Sequence, residues 1–182
     1  MSLDDDAVRI AKEGHFYIAD SGTARPTNLT APESPWNEVG HTKQDSPFTI
    51  TRDGGDVTKK GTWQKAGLRA DVADVTYAIE WALLQNDAVC LGLYYGGGTT
   101  ETNGGHSWFL PPSQPLAQEH ALFVRIIDGD TEWPMYWPNV AIIGSDSAEE
   151  SIDDFGTKPV KATILTPDTE VLAGLFAIKL PD

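Results

Sequence analysis

The stretch from Asp74 to Gly98 changes its periodicity partway along, and that change constrains the chain more than any other feature. Its first half alternates. Val75, Tyr77, Ile79, Trp81 and Leu83 fall on one side, with Thr76, Ala78, Glu80, Ala82 and Leu84 on the other. Period-2 spacing of this kind is the signature of a half-buried strand. The second half has helical spacing. Asn86-Asp87 can cap a helix, and Val89, Cys90, Leu93 and Tyr94 recur at the interval of one helix face. Gly96-Gly97-Gly98 then ends it, because glycine closes a helix in the left-handed conformation without steric cost. The pattern predicts a strand, a tight corner and one short helix over residues 86–95.

The rest of the chain is strand-rich. Residues 1–14 form an N-terminal arm whose Asp4, Asp5 and Asp6 suit a helix start, although so short a helix needs a partner surface. HFYIAD (15–20) and WNEVGH (36–41) read as strands, separated by a proline-bearing loop. Residues 42–62 read as a long projecting hairpin loop with Asp53-Gly54-Gly55 at its tip. Such an arm buries little of its own surface and waits for something to pack on it. Residues 99–105 read as a polar, glycine-rich loop and 108–116 as an extended, proline-rich segment. Strands follow at 121–127, 132–137, 140–144, 159–166 and 172–180, with turns at Asp128-Gly129-Asp130 and Pro167-Asp168 and an acidic loop at 145–156. Short strands with regular turn signals predict a single domain over 1–182: mainly β, a β-sandwich or partly closed barrel flanked by one short α-helix.

Charge narrows the function. With 13 basic and 27 acidic residues the net charge is −14, which disfavours nucleic-acid backbones as ligands. The charge is unevenly placed. Residues 43–69 hold six bases against three acids, whereas residues 101–157 hold ten acids and one base, Arg125. A 40% hydrophobic content with six tryptophans excludes disorder. One cysteine, Cys90, excludes an internal disulfide and reads as a buried, inert thiol. No segment has the length and apolarity of a membrane span. The opening MSLDDDAV is acidic where a secretory leader is basic and then apolar, so the expectation is a cytoplasmically made chain with no address tag.

The constellations that could carry chemistry fall short of it. Gly96-Gly97-Gly98 and Gly104-Gly105 lack the Lys-Ser/Thr of a phosphate loop. His15, His41, His106 and His120 stand in no metal-ligand spacing, and Ser107 lacks the flanking glycines of a nucleophile elbow. Asp128, Asp130 and Glu132 fit a hairpin turn better than a calcium loop. Glu149, Glu150, Asp153 and Asp154 could do acid–base work only if their environments separated their pKa values; a solvated acidic face is the simpler reading. Trp133, Tyr136 and Trp137 could stack on sugar rings, or pack a sheet face or subunit contact.

Taken in order, several segments resemble the major tail protein of long-tailed, siphovirus-type bacteriophages, the tail tube subunit. They are HFYIADSGTARPTNL, WNEVGHTKQDSPF, GGDVTKKGTWQ and VTYAIEWALLQNDAVCLGLYYGGG. Their colinearity over nearly the whole chain carries the resemblance, and residues 1–14 lie outside it. The resemblance implies a non-catalytic, cofactor-free structural protein of the virion tail, made in the host cytoplasm. It implies hexameric rings stacked head-to-tail into a tube, the conduit for genome delivery. It also implies a tape-measure protein inside the tube, and tail terminator and baseplate or tail-tip proteins as further partners. In the family the long hairpin commonly joins rings, which makes Lys43, Phe48, Arg52, Asp53, Lys59 and Lys60 candidate inter-ring contacts. Glu149, Glu150, Asp153 and Asp154 are the candidate acidic partners or lumen face. Two rival readings remain open on residues alone: a carbohydrate-binding β-sandwich module using Trp133, Tyr136 and Trp137, and a hydrolase using the acidic run.

Overall fold

The computed structural model describes residues 8, 10–44, 48–168, 172 and 174–180. Its strands are β1 (Glu13–Asp20), β2 (Asn37–Glu38), β3 (Thr49–Gly54), β4 (Val57–Lys60), β5 (Arg69–Val72) and β6 (Val75–Leu83). After the helix α1 (Ala88–Tyr95) come β7 (Thr99–Asn103), β8 (His106–Leu110), β9 (Gln118–Asp128), β10 (Thr131–Gly144), β11 (Lys158–Ile164) and β12 (Ala177–Ile178). The protein is mostly β-sheet with one short helix, as the periodicity predicts. Residues 1–7 and 9 of the predicted N-terminal arm lie outside the described residues, as does residue 173 of the expected strand 172–180, of which Ala177–Ile178 form β12.

β9 and β10 are the spine, turned at Gly129-Asp130 so that Asp128 faces Thr131. β1 and then β2 add to one side of this pair; β11, β6 and β3 add to the other, all antiparallel, and β12 pairs with β10. The sheet has two ends, so it is not a closed barrel. It curls nonetheless. Phe16 of β1 stacks on Trp81 of β6 at 5.4 Å between ring centroids, although three strands separate β1 from β6 in the sheet. One segment bridges that gap: the Val39 N–H donates to the Phe16 carbonyl (2.8 Å), and the Lys43 N–H to the Ala82 carbonyl (3.0 Å).

Both faces of the spine are buried. On the inner face Ile18, Ile79, Leu122, Val124, Trp137, Ile142 and Val160 pack together with Phe16 and Trp81. On the outer face Tyr17, Ala19, Ala121, Phe123 and Tyr136 are covered by Trp36 and Leu29 from the loop after β1, and by Leu172. The run Ala121-Leu122-Phe123-Val124 is consequently buried at every residue. Sealing a large apolar side chain from water is worth about 1.5–3 kcal/mol, so this doubly covered spine dominates the stability.

The helix is set as its caps predict. Asp87 Oδ1 accepts from the Cys90 N–H at 2.8 Å, and Gly96 ends the helix at φ 70°. Cys90 and Leu93 face the core, where Cys90 Sγ donates to the Val39 carbonyl (3.1 Å). Burial and the nearby Asp87 carboxylate push the thiol up to about 12.

Three expectations need correction. Residues 99–105 are not a loop: β7 pairs with β8 around Gly104-Gly105. β10 is one long strand rather than two, because a register shift between Trp137 and Val140 absorbs Pro138 without breaking it. A bulge is where a sheet tolerates proline. Lastly, the expected hairpin over 42–62 with its tip at Asp53-Gly54-Gly55 has other bounds. Thr49 to Gly54 pair with β6, the ladder continues through Gly55 to Asp74 and Ala73 to Asp56, and β4 pairs with β5. The chain reverses at residues 61–68, and Gly54-Gly55 is a kink in the ladder.

Candidate assembly surfaces

The outer part of this ladder is the most unusual surface of the subunit. Every residue from 56 to 74 is exposed, including both strands of the β4–β5 ribbon. A lone two-stranded ribbon is marginal in water. Its cross-strand partners sort the side chains by face: Val57 opposite Val72 and Lys59 opposite Ala70 share one face, and Thr58 opposite Asp71 and Lys60 opposite Arg69 share the other. Val57 and Val72 leave more than half of their surface to solvent, Leu68 half, and Trp63 at the reversal is 102% exposed.

A second open surface is the acidic loop between β10 and β11. The Glu149 and Thr157 backbones exchange hydrogen bonds of 3.0 and 2.8 Å and close its base. Within it Ile152 is 100% exposed and Phe155 75%.

The candidate residues distribute as follows. Lys43 Nζ lies 2.6 Å from Asp154 Oδ2, so one predicted base and one predicted acid pair inside the same subunit. That contact, with the Phe155 N–H on Oδ1, holds the Asp154 carboxyl below its ordinary range. Phe48 faces inward, its ring edge-on to Phe16 and Trp137. Asp53 Oδ1 accepts from the Gly54 N–H (2.9 Å), and Arg52 is exposed beside Gly55. Lys60 bonds Asp71 across the ribbon, and Lys59 has no ion pair among the described residues. Glu150 lies 3.7 Å from the buried Lys158 ammonium. Glu149 and Asp153 point into solvent without an ion pair among the described residues. Sequence reasoning missed Trp63, Leu68, Ile152 and Phe155. Their signal was apolar side chains set in charged, turn-rich segments.

The rival sites do not assemble. Tyr136 and Trp137 are neighbours on a strand, face opposite sides and are both buried, so with Trp133 they make no common platform for a sugar. Glu149, Glu150, Asp153 and Asp154 all lie in the exposed loop, where nothing encloses a reacting group. Among the described residues no group of three or more His, Cys, Asp or Glu is placed to hold a metal ion, and no helix is long and apolar enough to cross a membrane.

A doubly covered β spine with two exposed surfaces that carry large apolar side chains, and no assembled catalytic or sugar-binding site among the described residues, fits a structural building block. Comparison with known proteins agrees: residues 1–177 match the family model described as phage tail tube protein. The chain is 32% identical over 185 residues to the major tail protein Gp23 of Mycobacterium phage D29, and 33% identical over 184 residues to its counterpart in Mycobacterium phage L5. Each alignment covers 94% of this chain and 91% of the relative. The chain belongs to the phage tail tube protein family, and it is a structural protein of the phage tail.

Proposed function

We propose that copies of this chain form six-membered rings that stack into a hollow tail tube, the passage for the genome. In this reading the curled sheet is a sandwich-like, partly closed barrel flanked by α1, and the hairpin projects from it to join rings. The tape-measure protein occupies the lumen during assembly. Terminator and baseplate or tail-tip proteins meet the two ends, and the subunit passes from host cytoplasm to virion.

The observation that carries the reading is the hairpin. No residue from 56 to 74 is buried, yet the segment bears Trp63, Leu68, Val57 and Val72. A heterologous contact that does not close on itself builds an open filament. The net charge of −14 suits a conduit: an acidic wall repels phosphates and keeps water between itself and the duplex. The same charge opposes stacking, so apolar burial between rings must exceed the repulsion. At about 25 cal/mol per Å², an interface of about 1,600 Å² has a large gross drive, most of it offset by lost freedom.

Negative-stain microscopy of purified protein at rising concentration tests this. Hollow filaments or stacked rings are expected. Monomers at every concentration would overturn it.

A further inference from the structure

The two open surfaces lie at opposite ends of one strand. The hairpin leaves the sheet where Gly54 faces Val75, the first residue of β6. The acidic loop enters β11 where Lys158 faces Leu83, the last residue of β6, and is tied there by Lys43, whose own N–H bonds the Ala82 carbonyl. Nine residues of β6 separate them, roughly 26 Å at the usual rise of a strand. The hairpin points away from that loop, so the two cannot meet within a subunit.

Their chemistries are complementary once internal pairs are set aside. On the ribbon and its reversal, Lys60 is taken by Asp71, leaving Lys59, Lys65 and Arg69 without ion pairs among the described residues. On the loop, Asp154 is taken by Lys43 and Glu150 lies by Lys158, leaving Asp146, Glu149 and Asp153 in the same condition. Each set of three shares its segment with large exposed apolar side chains: Trp63 and Leu68 on the hairpin, Ile152 and Phe155 on the loop. An apolar centre with a charged rim is the anatomy of a protein interface, and opposite rims fix its register.

We propose that the hairpin end of one copy seats on the 145–156 loop of the next, Trp63 against Ile152 and Phe155, so that the direction of β6 sets the polarity of stacking. This rests on the tube reading and supplies its missing half, the receiving surface. Because donor and receiver sit at opposite ends, every bound copy presents a fresh donor and a fresh receiver, and growth does not terminate.

The test is a charge exchange. A donor variant carries Lys59→Glu, Lys65→Glu and Arg69→Glu; a receiver variant carries Asp146→Lys, Glu149→Lys and Asp153→Lys. All six positions are exposed, and circular dichroism checks that each variant keeps the wild-type thermal midpoint. Each variant alone is expected to raise the concentration needed for filaments about tenfold or more, and the sixfold variant to restore it. In a 1:1 mixture of the two variants opposite charges meet at both contacts, the unaltered hairpin on the unaltered loop and the exchanged hairpin on the exchanged loop, so sedimentation velocity is expected to show alternating filaments at the wild-type concentration. Filaments of normal length from both single-surface variants would overturn the proposal while leaving the tube reading intact. Wild-type and mixed-variant polymers that are thin solid fibres rather than hollow tubes would overturn the tube reading and support the contact. Should a variant lose its fold, Trp63→Cys protein mixed with Phe155→Cys protein serves instead. An intermolecular disulfide forming only in the mixture supports the contact, and its absence under oxidation counts against it.

Discussion

Lys43 and Asp154 meet across 111 positions of sequence, Nζ to Oδ2 at 2.6 Å, and staple the acidic loop to the segment that bridges the open side of the sheet. The contact spends one charge of each sign inside the subunit. It also anchors the middle of a loop whose base is held by Glu149 and Thr157.

Lys43→Glu is therefore expected to loosen residues 150–156 without unfolding the sheet. Exposed ion pairs contribute little to global stability. The thermal midpoint stays near wild type, while limited proteolysis within the loop accelerates severalfold. A loop as resistant as wild type would show that the staple does not hold it.

Arg125 of β9 and Glu132 of β10 form a more enclosed pair, the guanidinium Nη2 donating to Glu132 Oε1 and Thr30 Oγ1 adding a longer bond. The Arg125 hydrogen bond holds the Glu132 carboxyl below its ordinary range. A carboxyl depressed in the folded state contributes stability that is full above its unfolded pKa and is lost as pH falls through the folded one. Glu132→Gln is expected to cost about 2 kcal/mol at neutral pH and to flatten the acid limb of the stability curve below the ordinary glutamate range. Urea titrations from pH 7 to pH 3 measure both effects.

Lys158 is buried, its ammonium has no hydrogen-bond partner among the described residues, and Glu150, at 3.7 Å, is mostly exposed. A buried charge so poorly repaid is replaceable by an apolar chain of similar length. Lys158→Met is expected to stabilise the subunit by about 1 kcal/mol, seen as a higher urea midpoint with unchanged slope. Glu150 keeps its solvent and loses little.

Cys90 is sealed under the helix with its thiol pushed up to about 12. The thiolate is the reactive species, so native protein at pH 8 is expected to resist a maleimide or an aromatic disulfide reagent. In denaturant one thiol per chain should titrate at once. Rapid labelling of the native protein would place the helix in a partly open state.

The sequence carried the inner architecture better than the outer. The switch of period at Leu84 to Asp87 marked β6, its corner and α1, because an alternating apolar strand and a capped helix leave different spacings. β7 and β8 left no such trace: TTETN and HSWFL expose nearly every side chain, so no alternation develops. Pro138 disguised β10 as two strands, since a bulge is invisible to spacing alone. The hairpin offered two turn signals, Gly54-Gly55 and the glycines flanking residues 62–66, and the denser one was the kink. At the surfaces, the sign of each charge was legible, whereas its partner was not: Lys43 with Asp154 and Lys60 with Asp71 are decided by topology.

That kink has a mechanical consequence. A Cβ on Gly54 would lie 2.2 Å from the Asp74 carbonyl oxygen, and one on Gly55 would lie 2.4 Å from the Arg52 guanidinium, with both residues at positive φ. The elbow is thus made of two residues without side chains, and the forearm beyond it reaches roughly 20 Å at a strand's usual rise. Over such a lever a 10° error at the elbow moves Trp63 by about 3.5 Å, the width of an atomic contact. The aim of the whole limb is set by two hydrogen atoms.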